Sequence, residues 1–451
     1  MSSRARIMMH NSLAMGFLGG YREQGRSCLL ISGTNYRVLI DAGIKKTYSG
    51  GRYGEIPYLD LVDPSKLDAV LITHLHEDHF AMVPYLVRKG FNGPIYMTKE
   101  TLELGIRYWR KWARIFEEDG RKLFRDEDVD EAVKCVRVTR FGNTVEIGDL
   151  VARFKVSGHA PGSAYLEVRA GEKNILYLAD IARGTNVFRD PDPPEEVSYD
   201  VIILNASYGD RIIDRDAMER AISREIAGVV KRGGTALLPV TAMGRGQETL
   251  AVLMKYRNLY SNALILAEDA VLAGFDTLMK HGLTTRVDVL RSLLSRLKSD
   301  EFVVVFRREE LKEFTLKGVI VLATDLMLMG FSQEVFMRIR NDPKSAVIVT
   351  GYQAPGTFGR ALIEAGDTGV LRFDDRVVQF RCSIKVLPIK THFDLAENVS
   401  LLTRLRAWRS TKLVLHHGEE PNTFRLAQAL TRYARYENVV MPNVPSFMYV
   451  V

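Results

Sequence analysis

The chain has 451 residues, 46% of them apolar and 26% charged, the balance of a soluble globular protein of about three domain equivalents or two larger lobes, and not that of a disordered chain. No apolar run reaches the roughly 18 residues of a membrane span, and three scattered cysteines (Cys28, Cys135, Cys382) exclude a disulfide framework and a cysteine zinc site, pointing to a reducing cytoplasm. Lys and Arg number 62 against 55 acids, a net charge of +7 that suits a polyanionic partner without singling one out.

Met1 to Met15 carries two arginines but no continuous apolar core, so it reads as a poor secretory signal. Gly19-Gly20 precedes a strand expected at Cys28–Ser32, which Gly33-Thr34-Asn35 joins to a second, Tyr36–Asp41, as a hairpin. An apolar strand, Leu67–Thr73, runs straight into a histidine cluster. A helix follows at Glu100–Phe116, then strands near Lys134–Val138, Leu150–Val156, Ala164–Arg169 and Asn174–Leu178. After Tyr208 short apolar strands (Ala236–Val240, Leu264–Ala267, Val319–Ala323, Ala346–Thr350) alternate with helices (Asp214–Lys231, Gly246–Tyr256), the pattern of a parallel sheet covered on both faces. Near Arg381 it changes again, to a strand at Ile384–Leu387, a helix at Leu395–Trp408 and a strand at Lys412–Leu415. We expect one α/β domain, residues 1–207 and 381–451, interrupted by an inserted parallel-sheet α/β domain at 208–380.

Thr73-His74-Leu75-His76-Glu77-Asp78-His79 carries the strongest signal. At an extended strand end residues two apart share a side, so His74 and His76 converge on one cation, and Asp78 and His79, past the turn, on a neighbour. Imidazole and carboxylate suit zinc and similar divalent ions. His159, in the turn Ser157–Ser163, and also Asp180, His392, His416 and His417 each follow an apolar strand. Seven of the nine histidines thus sit where strand ends can form one pocket; His10 and His281 match no motif and are read as structural or exposed.

With Gly19-Gly20-Tyr21 through Cys28, Ile40-Asp41-Ala42-Gly43, the complete His74–His79 motif, His159 and Asp180, nearly the whole chain resembles the β-CASP nucleases of the metallo-β-lactamase superfamily, the group of ribonuclease J and the endonuclease of the cleavage and polyadenylation complex. Ala206 to Arg211, Pro239 to Glu248, Gly351 to Thr357, His392 and His417 match the β-CASP stretches. The resemblance implies a metallo-β-lactamase αββα sandwich with an inserted β-CASP domain. It implies two zinc ions per chain, one on His74, His76 and His159, the other on Asp78, His79 and His417, with Asp180 bridging; His417 is preferred to His416 because it directly precedes Gly418-Glu419. Asp41 would orient the ligand shell. Two positions depart from the pattern: Asn205 stands where the family usually has an acid supporting the histidine at 392, and Ala323 to Met329 replaces a turn with serine and proline.

The implied activity is metal-dependent hydrolysis of phosphodiester bonds in single-stranded RNA, in RNA processing or decay in the cytoplasm. Two cations roughly 3.5–4 Å apart would make hydroxide from water and neutralise the transition state. Asp78, His392 and Asn205 are the candidate catalytic residues, His392 as general acid because its ordinary pKa lies near neutrality. Arg245, before a helix, offers a charged fork to a phosphate; Tyr208, Arg211 and Thr357 are further candidate RNA contacts. Arg107, Tyr108, Trp109, Arg110, Lys111, Trp112 and Arg114 make a basic, aromatic helix that can stack bases, though helical spacing favours its aromatics in the core and its charges in solvent. Alternatives are a catalytically weak or inactive RNA-binding partner, a DNA-processing nuclease, and a small-molecule metallo-hydrolase. The chain ends 34 residues beyond His417, so RNA binding is expected from the two lobes or a second subunit in a homodimer, with no membrane involved.

Overall fold

A computed structural model describes residues 13–406 and 410–450; His10, most of the N-terminal stretch and Trp408 lie outside the described residues. Two seven-stranded sheets pack face to face. The first runs in spatial order Ser446–Val450, Leu13–Gly19, Cys28–Ser32, Arg37–Ile40, Ala69–Leu71, Ile95–Thr98 and Val136–Thr139. The second runs Val439–Val440, Lys412–His416, Val201–Asn205, Lys173–Tyr177, Ala164–Ala170, Leu150–Val156 and Thr144–Ile147. Along Leu150–Val156 every second residue is buried, the period of a strand with one face inward. Phe17, Ile31 and Val38 of the first sheet meet Phe154, Leu166 and Ile203 of the second in one core.

Helices cover both outer faces. Lys99–Glu118 starts at Thr98, whose hydroxyl accepts from the Thr101 amide, satisfying an amide that has no partner within the helix. Its buried residues Trp109, Trp112 and Phe116, at three- and four-residue spacing, pack on the first sheet with Phe80. Trp109 stacks on Phe80, ring centroids 4.3 Å apart, and its Nε1 donates to the Phe80 carbonyl at 2.9 Å. The tryptophans of this basic helix are therefore core, as their spacing predicts. Leu395–Arg404 and Glu420–Ala434 cover the second sheet through Leu401, Leu402, Leu426 and Leu430. The result is the expected αββα sandwich.

Between Asn205 and Lys412 the chain builds a six-stranded sheet in the order Val303–Phe306, Leu264–Glu268, Val319–Thr324, Ala236–Val240, Ala346–Val349, Ser383–Val386. All neighbours are parallel, and apolar clusters lie on both faces. The sequence boundary at 380/381 needs correction: Ser383–Val386 pairs with Ala346–Val349 and is the last strand of the inserted sheet. Val187 and Phe188, before the expected start at 208, and Ile389, after the expected end, also join the inserted lobe's core.

Candidate metal centre

The sheets bring the donors together at one end of the sandwich. In the second sheet, the parallel register pairs Asn205 with His416, so Asn205 and His417 leave adjacent strand tips, with Asp180 just past a third. In the first sheet, Asp41 follows Arg37–Ile40, and the His76–His79 turn folds back onto it: the Ala42 amide donates to the His79 carbonyl at 2.8 Å and that of Ile44 to the Glu77 carbonyl at 2.9 Å. Gly43 is required there, since a Cβ would lie 1.7 Å from the Asp78 carbonyl oxygen. Asp41, Ala179 and His417 all have positive φ, at 58°, 46° and 55°; non-glycine residues rarely hold this conformation without support from their surroundings.

Two donor sets result: His74, His76, His159 and Asp180, and Asp78, His79, Asp180 and His417, the donor atoms of each within 4.8 Å of one another. Asp180 belongs to both. Its Oδ2 lies 3.6 Å from His74 Nε2 and 3.3 Å from His159 Nε2; its Oδ1 lies 3.7 Å from His79 Nε2 and 3.2 Å from His417 Nδ1. His417 Nε2 is 2.9 Å from Asp78 Oδ2.

Hydrogen bonds behind the rings assign their tautomers, and the tautomers fit cations. His159 Nδ1 faces the Thr391 carbonyl at 2.9 Å and His79 Nδ1 faces Asp41 Oδ2 at 2.7 Å. Both partners only accept, so these Nδ1 atoms carry the protons; the neutral His159 ring then presents its Nε2 lone pair to Asp180, and His79 Nε2 would do so once a cation displaces its second proton. The Thr73 hydroxyl donates to Asp41 and can accept from His74 Nδ1 at 3.0 Å, which leaves His74 Nε2 buried and without a partner. Lone pairs aimed at a carboxylate repel unless a cation lies between them. Burial, reinforced by the neighbouring imidazoles, pushes His74 well below its ordinary pKa, and burial chiefly pushes His76 down to about 4. Both are neutral near pH 7, the form that can ligate a cation. Burial opposes charge on His79 too, but Asp180 and Asp41 outweigh it and raise it to about 9; it sits where the carboxylates most demand positive charge.

Residues 21–222 match the metallo-β-lactamase superfamily profile and residues 239–362 the Beta-Casp domain profile. The chain belongs to the β-CASP family of the metallo-β-lactamase superfamily. It is 28% identical to the transcription termination factor FttA of Methanocaldococcus jannaschii over 96% of this chain and 71% of that one. It is 26% identical to the endoribonuclease YSH1 of Saccharomyces cerevisiae over 92% of this chain and 55% of that one. A solved protein of unknown function from Enterococcus faecalis shares the fold, with a TM-score of 0.53 at 12% identity, covering 97% of this chain and 100% of that one.

The other β-CASP residues take up varied positions. His392 stacks on His159 at 4.8 Å, with Nε2 3.3 Å from Asp180 Oδ2; burial lowers its pKa, although Asp180 pulls the other way. Tyr208 accepts from the Thr391 amide at 2.9 Å, and the Arg211 guanidinium lies over the Tyr208 ring at 5.6 Å. Arg245 Nη1 donates to the carbonyls of Thr350 (3.1 Å) and Ile389 (3.0 Å). Two expectations are corrected. Asn205 does not support His392: its amide nitrogen donates to Asp180 Oδ1 at 3.0 Å and stands 3.3 Å from His417 Nδ1. Thr357, 3% exposed, is a helix cap rather than an RNA contact, its hydroxyl donating to the Ala354 carbonyl and accepting from the Arg360 amide. His416 lies outside both donor sets, and His281 is buried, 3.7 Å from Glu103.

Sequence reasoning passed over four supporting groups. Thr73 and Tyr177 both donate hydroxyls to Asp41. Ser27 Oγ lies 3.2 Å from His79 Nε2. Ser207 Oγ donates to the His417 carbonyl and can accept from its Nδ1 at 3.2 Å. Thr73 and Ser207 stand beside motif residues, which is a usable signal; Tyr177, ending a buried strand, gives only a polar tip in an apolar run.

Proposed function

We propose that this chain is a metal-dependent ribonuclease that hydrolyses phosphodiester bonds of single-stranded RNA, using two zinc ions. The observation carrying this reading is the pair of donor sets joined by Asp180, in a β-CASP chain similar to proteins named as an endoribonuclease and as transcription termination factors. The mixed imidazole and carboxylate donors favour zinc among divalent ions. Held by His74, His76, His159, Asp78, His79, His417 and Asp180, two such ions would supply hydroxide near neutral pH and charge to offset that gathering on the phosphoryl oxygens.

The chain's own residues supply the rest. Asp41 holds the His79 proton on Nδ1, and the Thr391 carbonyl holds that of His159. His392, packed on His159 beside Asp180, is placed to pass a proton to the leaving oxygen. Tyr208 and Arg245 fix the backbone on either side of Lys390, which carries His392 toward the donors. Three free cysteines support a cytoplasmic setting, and no helix among the described residues is long and apolar enough to cross a membrane.

The test is incubation of zinc-loaded protein with end-labelled linear and circular single-stranded RNA, alongside a His76→Ala variant. We expect cleavage by the wild type that the variant loses; equal cleavage by both overturns the reading, and a cut circle assigns internal cleavage.

A further inference from the structure

The turn that supplies His76 and Asp78 also carries Glu77, 5% exposed. Three donors converge on its carboxylate. Lys46, from the strand Lys45–Ser49, forms an ion pair with it; Lys111 Nζ lies 3.4 Å from Oε1, and Trp112 Nε1 donates to the same oxygen at 3.0 Å. One carboxylate needs one cation, so a second ammonium leaves surplus positive charge beside the metal loop. It is open to solvent: the Lys46 and Lys111 side chains are 35% and 50% exposed. Along the helix, Arg107, Lys111 and Arg114 recur at spacings of four and three and so share a face. Among the described residues neither Arg107 nor Arg114 is ion-paired, whereas Arg110 pairs with Asp126 and Asp130. The Arg107 guanidinium lies 5.0 Å over the Tyr108 ring.

We propose that Lys46, Lys111, Arg107 and Tyr108 form a track that leads the backbone of single-stranded RNA to the metal pockets. This rests on the ribonuclease reading and adds the path of the substrate. The two lysines are compact charges on flexible stems, suited to successive phosphates whose spacing varies with the bases. Tyr108 under Arg107 offers an aromatic face for a base. Glu77 ties this charge to the loop bearing His76 and Asp78, so a strand held by the lysines arrives in register with the donors.

Binding of a short labelled phosphorothioate oligouridine, which keeps its phosphate charges and is slow to hydrolyse, is measured across a salt series. Each phosphate contact on a single strand contributes about 0.7 to the slope of log K against log salt. Lys46→Gln and Lys111→Gln should each flatten the slope by about 0.7, the double variant by about twice that, and Lys46→Arg should restore it. Arg110→Gln should keep the wild-type slope. A folded double variant with an unchanged slope overturns the track alone, since wild-type binding and cleavage test the ribonuclease reading separately; a wild type that neither binds nor cuts RNA overturns both. Flattening seen only with a DNA probe overturns RNA as the occupant.

Discussion

Asn205 gives Asp180 an amide hydrogen bond of 3.0 Å, placing a neutral donor against the one carboxylate that both donor sets share. Asn205→Asp would replace this donor by a like charge at the same distance. We expect it to cost the metal-free protein about 1–3 kcal/mol, the cost of leaving a buried polar group unpaired, and part of that loss should return when zinc is added. Denaturant unfolding with chelator and with zinc measures both. Equal stability of the metal-free variant and wild type would show that the amide donor contributes nothing.

Asp41 accepts from the Thr73 amide (2.8 Å), the Tyr177 hydroxyl (3.0 Å) and His79 Nδ1 (2.7 Å). An amide at this position has one acceptor oxygen and cannot serve them all. Asp41→Asn should weaken metal binding about 10- to 100-fold, and Tyr177→Phe, which removes one donor and leaves the carboxylate, should weaken it less. Competition with a chromogenic chelator measures each affinity. A larger loss from Tyr177→Phe would mean that Asp41 is not what orients His79.

The two donor sets are legible in the sequence because a cation would impose spacing: His74 to His79 is contiguous, and the other donors each follow an apolar strand. Supporting hydroxyls impose none. Tyr177 reaches Asp41 only because two sheets fold face to face, and Ser27 reaches His79 only through strand pairing within the first sheet, neither of which any local pattern announces. The strand Ser383–Val386 was misassigned for a related reason. It is a half-exposed edge of the inserted sheet, without the buried apolar run that marks its neighbours, and only its pairing with Ala346–Val349 assigns it. Thr357 shows the reverse error: a residue in a family stretch was given to the substrate when a helix needed a cap.

Arg245 separates positioning from binding. Its Nη1 is spent on the Thr350 carbonyl and on that of Ile389, three residues short of His392. If its task is to hold that segment, Arg245→Met should lower kcat about 100-fold, the scale of a misplacement of about 1 Å, with KM little changed. A rise in KM with kcat preserved would instead make Arg245 a phosphate-binding fork. Steady-state cleavage of one RNA by both proteins decides between them.

Below His392, Asp394 anchors the same segment. Its carboxylate accepts from Lys390 Nζ at 2.5 Å, from the Ile213 amide at 2.9 Å and, as the cap of Leu395–Arg404, from the Glu397 amide at 3.1 Å. Burial pushes the carboxyl up, but Lys390 and the two amides outweigh it and hold it below the usual carboxylate range. A carboxyl lowered on folding stabilises the protein fully above its unfolded pKa of about 3.9, and that contribution is lost as the pH falls through the folded value. Asp394→Asn should therefore cost about 1–3 kcal/mol near neutral pH, since Lys390 keeps only Glu397, 2.9 Å away. The gap between variant and wild type should close below about pH 4. Urea unfolding of both proteins across a pH series tests this, and a gap that stays constant down to acid pH would mean that the Asp394 charge stabilises nothing.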